Sequence, residues 1–125
     1  MTDGQSILIV DDSKLSQAMM KKAVTTYNKD WKITVAGNAE EALKAYDQSS
    51  NSIAILDYNM PGMNGLDLAT SLRQRDINIP IALVTANIQT AIQQRAEKIG
   101  VVFIAKPIKE AAIHEYLESV TAQIS

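Results

Sequence analysis

The stretch Ile53-Ala54-Ile55-Leu56-Asp57-Tyr58-Asn59-Met60-Pro61-Gly62 decides the fold: four apolar residues run without interruption into a carboxylate, and a Pro-Gly turn follows at once. An apolar run of that length marks a strand buried on both faces, the kind found in parallel sheets. The strand therefore ends on Asp57, and in open parallel sheets ligands gather at the carboxyl ends of the strands.

The pattern recurs on both sides of this stretch. Ser6-Ile7-Leu8-Ile9-Val10 is a short β-branched run that ends on Asp11-Asp12. Ser13 then offers an N-cap to a helix whose buried stripe reads as Leu15, Ala18, Met19, Lys22, Ala23 and Thr26, up to a break from Asn28 to Trp31. Lys32-Ile33-Thr34-Val35-Ala36 alternates polar with apolar, as a strand near a sheet edge does, and Gly37 closes it. Asn38, with Glu41 three residues on, has the spacing of a capping box and opens a helix through Ala42, Leu43, Ala45 and Tyr46. That helix dissolves in Gln48-Ser49-Ser50-Asn51-Ser52.

Beyond Asp57, Met60-Pro61-Gly62-Met63-Asn64-Gly65 is a turn-rich loop, and Leu66, Leu68, Ala69 and Leu72 carry a helical stripe to Arg75. Pro80 introduces the apolar run Ile81-Ala82-Leu83-Val84, which ends on Thr85. Ile88, Ala91, Ile92, Ala96 and Ile99 describe a helix closed by Gly100. Val101 to Ala105 is a last strand ending on Lys106-Pro107, and Ile113, Leu117, Val120 and Ile124 outline a closing amphipathic helix. Five β-α units with short connections require a parallel sheet covered by helices on both faces, a doubly wound α/β domain.

Composition narrows the function. The chain has 125 residues, 46% hydrophobic and 21% charged, which fits one globular domain, residues 1–125. Its formal charge is -2, and no basic cluster exceeds pairs such as Lys21-Lys22, so no direct nucleic-acid contact is expected. There are no cysteines, which removes disulfides, thiolate metal sites and cysteine nucleophiles together. Met1-Thr2-Asp3-Gly4-Gln5 has no basic leader, and no apolar run approaches a membrane span, so the expected location is cytoplasmic.

Taken singly, a polar residue after a strand is usually a helix cap or turn residue. Jointly, three buried-type strands end on Asp11-Asp12, on Asp57 and on Thr85, and a fourth on Lys106, and this architecture points all of those ends to one rim. Three carboxylates in one place repel unless cations intervene. Lys106 supplies one charge, and Mg²⁺, which favours a few carboxylates plus water and a phosphate oxygen, suits the rest. Thr85 is suited to hydrogen-bond a bound anion. Such a rim reads as a phosphoryl-accepting site with Asp57 as the nucleophile and the Asp11-Asp12 pair on the metal.

These motifs, Asp11-Asp12, Asp57 with Met60 to Gly65, Thr85-Ala86 and Lys106-Pro107, resemble in order and spacing those of the receiver domain of two-component response regulators. Within that family the chain is similar to the stand-alone CheY type, from Ile7 to about Val120. The resemblance implies a flavodoxin-like sheet of order 2-1-3-4-5 with five helices. It implies that Asp57 takes a phosphoryl group from a histidine of a sensor kinase or histidine phosphotransfer protein. Asp12, Asp57 and the backbone carbonyl of Asn59 would hold Mg²⁺, with Asp11 reaching it mainly through water. Lys106 and Thr85 would contact the phosphoryl oxygens, the Lys106-Pro107 bond is expected to be cis, and Phe103 occupies the switch position.

The output is then expected to pass to a downstream effector protein through helix four, strand five and helix five. Phe103 lacks the hydroxyl that flagellar-motor binders typically carry there, and Gln89, Thr90, Gln93 and Gln94 on helix four depart from the chemotactic pattern too. Asn59 and Asn87 fall at positions that influence dephosphorylation in the family. A start at Met1 and an end just past the fifth helix favour a stand-alone protein over one stripped of an output domain.

A phosphoryl shuttle or sink in a phosphorelay is the close alternative. A Mg²⁺-dependent aspartyl phosphohydrolase shares the chemistry but usually has a second acid two residues after the nucleophile, where Asn59 stands. A flavodoxin needs a hydroxyl-rich phosphate loop where Asp11-Asp12 would repel phosphate, and Gly62 with Gly65 forms no nucleotide fingerprint. The expectation is a signalling module that is not an enzyme. His114 is expected on a solvated helix position, the Met19-Met20 and Met60/Met63 pairs in packing, and Tyr27 with Trp31 over the sheet edge.

Overall fold

The computed structural model describes residues 5–86 and 89–124, with side chains as far as Ala122. The elements alternate strictly: β1 (Ser6–Val10), α1 (Lys14–Tyr27), β2 (Lys32–Ala36), α2 (Ala39–Gln48), β3 (Ile53–Asp57), α3 (Gly65–Arg75), β4 (Ile81–Thr85), α4 (Thr90–Lys98), β5 (Val101–Ala105) and α5 (Glu110–Ile124). The strands form one parallel sheet in the order β2-β1-β3-β4-β5. β3, the strand of the opening stretch, is central and buried at all five positions, as an apolar run between two helical layers must be.

Alternate strand residues feed two cores. Ile7, Ile9, Ile53, Ile55, Ala82, Val84 and Ile104 face α1 and α5. Leu8, Val10, Ala54, Leu56, Ile81, Leu83 and Val101 face α2, α3 and α4. The edge strand β2 is only partly covered, which is what its alternating sequence predicts.

The helices start where their caps stand. Ser13 Oγ accepts from Ser16 N at 3.2 Å, Asn38 Oδ1 from Glu41 N at 2.8 Å, and Asn64 Oδ1 from Asp67 N at 2.9 Å. The capping box of α2 is shifted by one residue, because Glu41 Oε1 accepts from the backbone N–H of Gly37 at 3.1 Å rather than from that of Asn38, whose side-chain amide donates to Glu41 Oε2 at 3.4 Å.

Two helix faces differ from the sequence reading. On α1 the buried residues are Gln17, Met20, Ala23 and Val24, while Leu15 is 71% and Met19 41% exposed. Gln17 takes the inward place because its amide has a partner there, so the stripe turns by about one residue. On α4 only Ala96 is buried, with Ile92 and Ile99 partly so and Ala91 exposed, which leaves this helix thinly packed. Ile88 and the side chain of Ile124 lie outside the described residues. On α5, Ile113, Leu117 and Val120 are buried as predicted, joined by Tyr116.

His114 is not a solvated position. Its Nε2 lies 2.8 Å from the Ala23 carbonyl and its ring tilts against Tyr27, so it ties α5 to α1. Trp31 is buried in the same core, edge-on to Tyr27 at 5.4 Å. Of the methionines, Met20 and Met60 are buried while Met19 and Met63 stay exposed.

Candidate functional site

The parallel register brings the predicted strand ends to one rim. Val10 pairs with Ala36 and Leu56, and Asp57 pairs with Val84, so Asp11, Asp57 and Thr85 leave the sheet side by side. All three are buried, and Asp12 is exposed beside them. One carboxylate oxygen from each of Asp11, Asp12 and Asp57 lies within 4.8 Å of the others. Lys106 comes in from the end of β5, where its N–H donates to the Thr85 carbonyl at 3.0 Å, and its Nζ sits 2.7 Å from Asp57 Oδ1. That contact is an ion pair without hydrogen-bond alignment, since Asp57 Oδ1 has no aligned donor. The Lys106-Pro107 bond is cis, as expected.

Backbone and side-chain bonds hold the acids in place. Asp11 N donates to the Ala36 carbonyl at 3.1 Å, and Asp11 Oδ1 accepts from Ser13 N at 2.8 Å. Gln17 Nε2 donates to the Asp11 carbonyl at 2.6 Å, a positioning bond that apolar periodicity does not reveal because Gln17 is a polar residue on the buried face. Tyr58 N donates to the Val84 carbonyl and Gly65 N to the Tyr58 carbonyl, each at 2.9 Å, which folds the loop after Asp57 back onto α3.

Gly65 has its own reason to be glycine: a Cβ there would lie 2.3 Å from the Asp57 carbonyl oxygen and 2.7 Å from Leu83 Cδ1. Sequence marked Gly65 as a turn residue, but its role is close approach of α3 to the end of β3. Of the two glycines in this loop, Gly62, at φ 80°, is the one in the left-handed region.

The donor set suits a hard divalent cation. Asp11 Oδ2 is buried with no hydrogen-bond partner, and burial pushes the Asp11 carboxyl up from its ordinary value, with the neighbouring Asp57 charge adding to the shift and the Ser13 N–H opposing it. An orphaned buried oxygen among three carboxylates is what an oxygen-liganded ion such as Mg²⁺ would satisfy. Asn59 is exposed and, with Asp12, Tyr58, Met60, Pro61 and Asn64, lines a cavity of about 470 Å³ beside the acids. Asn87 lies outside the described residues. Phe103 is half-buried on the sheet face of α2, α3 and α4, paired with Leu83 two residues before Thr85, so Thr85 and Phe103 lie on one face of neighbouring strands.

A doubly wound sheet with an acid and lysine cluster at its carboxyl rim defines the class, and comparison with known proteins gives the family. The response regulator receiver domain family matches residues 7–118, and the chain belongs to it. It is 33% identical over 122 residues to the chemotaxis protein CheY of Thermotoga maritima, covering 94% of this chain and 98% of that protein. It is 35% identical over 111 residues to the cyclic di-GMP phosphodiesterase response regulator RpfG of Xanthomonas campestris, covering 85% of this chain but only 29% of that protein. A CheY-like receiver domain structure from Methanospirillum hungatei superposes with a TM-score of 0.87 at 21% identity over 96% of each chain, a likeness of fold. Among the described residues no helix is long and apolar enough to cross a membrane.

Proposed function

We propose that the chain is a single receiver unit in which Asp57 accepts a phosphoryl group from a phosphohistidine of a sensor kinase or histidine phosphotransfer protein. An Asp57 carboxylate oxygen attacks phosphorus, the P–N bond breaks, and the imidazole leaves with the electron pair and takes a proton. Lys106, already 2.7 Å from Asp57 Oδ1, neutralises charge on the transferring group. Thr85 offers its hydroxyl to a phosphoryl oxygen. The Asp12 and Asp57 carboxylates and the Asn59 carbonyl would hold Mg²⁺, with Asp11 reaching it through water; when bound, the ion neutralises phosphoryl charge and orients the donor.

Nearly two added negative charges then give Thr85 and Lys106 a new partner. We read Thr85 and Phe103 as the two-state element that carries this change to the face of α4, β5 and α5, where a downstream protein docks. That face holds half-exposed Val102 and, between β5 and α5, a cavity of about 270 Å³ that Phe103 helps to line. The reading makes the protein a cytoplasmic signalling module rather than an enzyme with turnover. The observation that carries it is the gathering of three carboxylate oxygens within 4.8 Å with a lysine on the central one.

Incubation with acetyl phosphate and Mg²⁺ tests it. The intact mass is expected to rise by one phosphoryl group, and Asp57→Asn is expected to stay unlabelled. Normal labelling of Asp57→Asn overturns the acceptor assignment, and rapid multiple turnover of varied phosphate esters makes the protein a phosphohydrolase instead.

A further inference from the structure

Arg73, in the last turn of α3, spends its whole guanidinium on backbone carbonyls. Its Nε donates to the Ile99 carbonyl at 2.6 Å, its Nη2 to the Gly100 carbonyl at 3.1 Å, and its Nη1 to the Ile79 carbonyl. Ile99 is the C-cap of α4, Gly100 the residue after it, and Ile79 stands just ahead of β4. One guanidinium thus joins α3, the entry to β4 and the end of α4. The last carbonyls of a helix have no partner within it, so external donors find them ready. Here the final turn is tight, with Ile99 N to the Ala96 carbonyl at 3.2 Å and Gly100 N to the Glu97 carbonyl at 3.1 Å, and Gly100 turns the chain away at φ 70°. Burial lowers the Arg73 pKa from its ordinary value, and the negative end of the α4 dipole offsets the cost of withdrawing that charge from water.

The other end of α4 is held differently. Gln89, its N-cap, makes no side-chain capping bond to the helix, whereas Ser13, Asn38 and Asn64 each cap theirs. Along its length α4 buries only Ala96, and its ion pair to α3, Arg95 to Asp67 at 3.3 Å, joins half-exposed side chains and so is worth little in water. In a parallel sheet α4 starts at the rim that carries Asp57 and Thr85 and ends at the opposite edge. Its uncapped end is therefore beside the site, and its clamped end is remote from it. Phe103, Ile92 and Ile99 pack against the same core.

We propose that Arg73 is a positioning residue that pins the C-terminal end of α4, so that α4 answers the charge change at Asp57 by pivoting about Ile99 and Gly100. The proposal rests on the switch reading above and adds a fixed point to it. A helix this thinly packed, with both ends free, would shift or fray as a whole, and the displacement would not be aimed at the α4-β5-α5 face. Three carbonyls in different directions need a planar fork of donors, which arginine has and lysine lacks.

The test is amide NMR of the ¹⁵N-labelled full chain, with and without beryllofluoride and Mg²⁺. Wild type is expected to show large shift changes from Thr90 to Gln93 that fade to nothing at Ile99 and Gly100. Arg73→Gln is expected to spread them through Ile99 and Gly100 and to speed amide exchange there about tenfold, with Arg73→Lys restoring less than half of that protection. Equal shift changes at Thr90 and Gly100 in wild type, or an unchanged gradient in Arg73→Gln, overturn the proposal. Failure of beryllofluoride to perturb Asp57 itself counts against the acceptor reading instead, and the pin is then decided by exchange in the unloaded chain. There, slow exchange at Ile99 and Gly100 that Arg73→Gln abolishes supports it, and exchange indifferent to the substitution overturns it. Where Arg73→Gln fails to fold, Arg73→Lys carries the same comparison.

Discussion

A hydrogen where other residues carry a Cβ lets α3 begin directly against the end of β3. With a Cβ at Gly65 placed 2.3 Å from the Asp57 carbonyl oxygen, a backbone atom that cannot step aside, Gly65→Ala forces the helix off the strand that holds the proposed acceptor. A loss of about 2–4 kcal/mol is expected, in the range of severe single substitutions. Gly62 has nothing within 4 Å of its Cβ position, so Gly62→Ala meets only the left-handed backbone cost of about 1–2 kcal/mol. Urea denaturation of the two variants checks the order, and a costlier Gly62→Ala would move the constraint from close approach to turn geometry. The buried oxygen of Asp11 makes a second residue-scale case. Asp11→Asn removes a charge from beside Asp57 and is expected to raise the metal-free midpoint of thermal unfolding by a few degrees, about 1 kcal/mol. A lowered midpoint would mean that the Ser13 N–H bond to Asp11 outweighs the repulsion.

At the scale of the element, α1 separates what sequence specifies from what only packing decides. Its ends were legible, because Ser13 caps it and Asn28 stops it, but its face was not. Apolar residues lie on two adjoining stripes, and the choice between them turns on Gln17, whose amide finds the Asp11 carbonyl only in the folded chain. Truncating Met20, fully buried, is therefore expected to cost about 2–5 kcal/mol, while Met19→Ala, on the exposed stripe, stays within about 0.5 kcal/mol. Chemical denaturation of the pair decides the face, and equal losses would restore the stripe through Leu15 and Met19. The strands were legible almost to the residue, since an apolar run flanked by turn residues has few alternatives. So were the acids and Lys106, which stand at strand ends. Gly65 and Arg73 were not, because a close approach and a bond from α3 to the end of α4 exist only once helices are packed on the sheet.

On the scale of the whole molecule, the sheet draws three carboxylates to one rim, where burial and the neighbouring acids both oppose ionisation of Asp11. Linkage gives the consequence a sign. A carboxyl whose folded value is raised holds its proton more tightly in the folded chain, so its contribution to stability is present below the ordinary aspartate value and lost as pH rises through the raised one. The metal-free chain is thus expected to lose stability over that window, and Asp11→Asn to flatten the loss. A divalent ion held by the same oxygens needs them ionised, so the stabilisation it brings runs the opposite way and grows with pH. At a hundredfold excess over its dissociation constant, Mg²⁺ is expected to add about 2.7 kcal/mol, a rise in the unfolding midpoint on the order of 10 °C for a domain of this size. Scanning calorimetry with and without Mg²⁺ across that pH window reads both slopes at once. A Mg²⁺ shift that is flat with pH, or that survives Asp57→Asn at full size, would place the ion away from this rim and leave the lysine as its sole counter-charge.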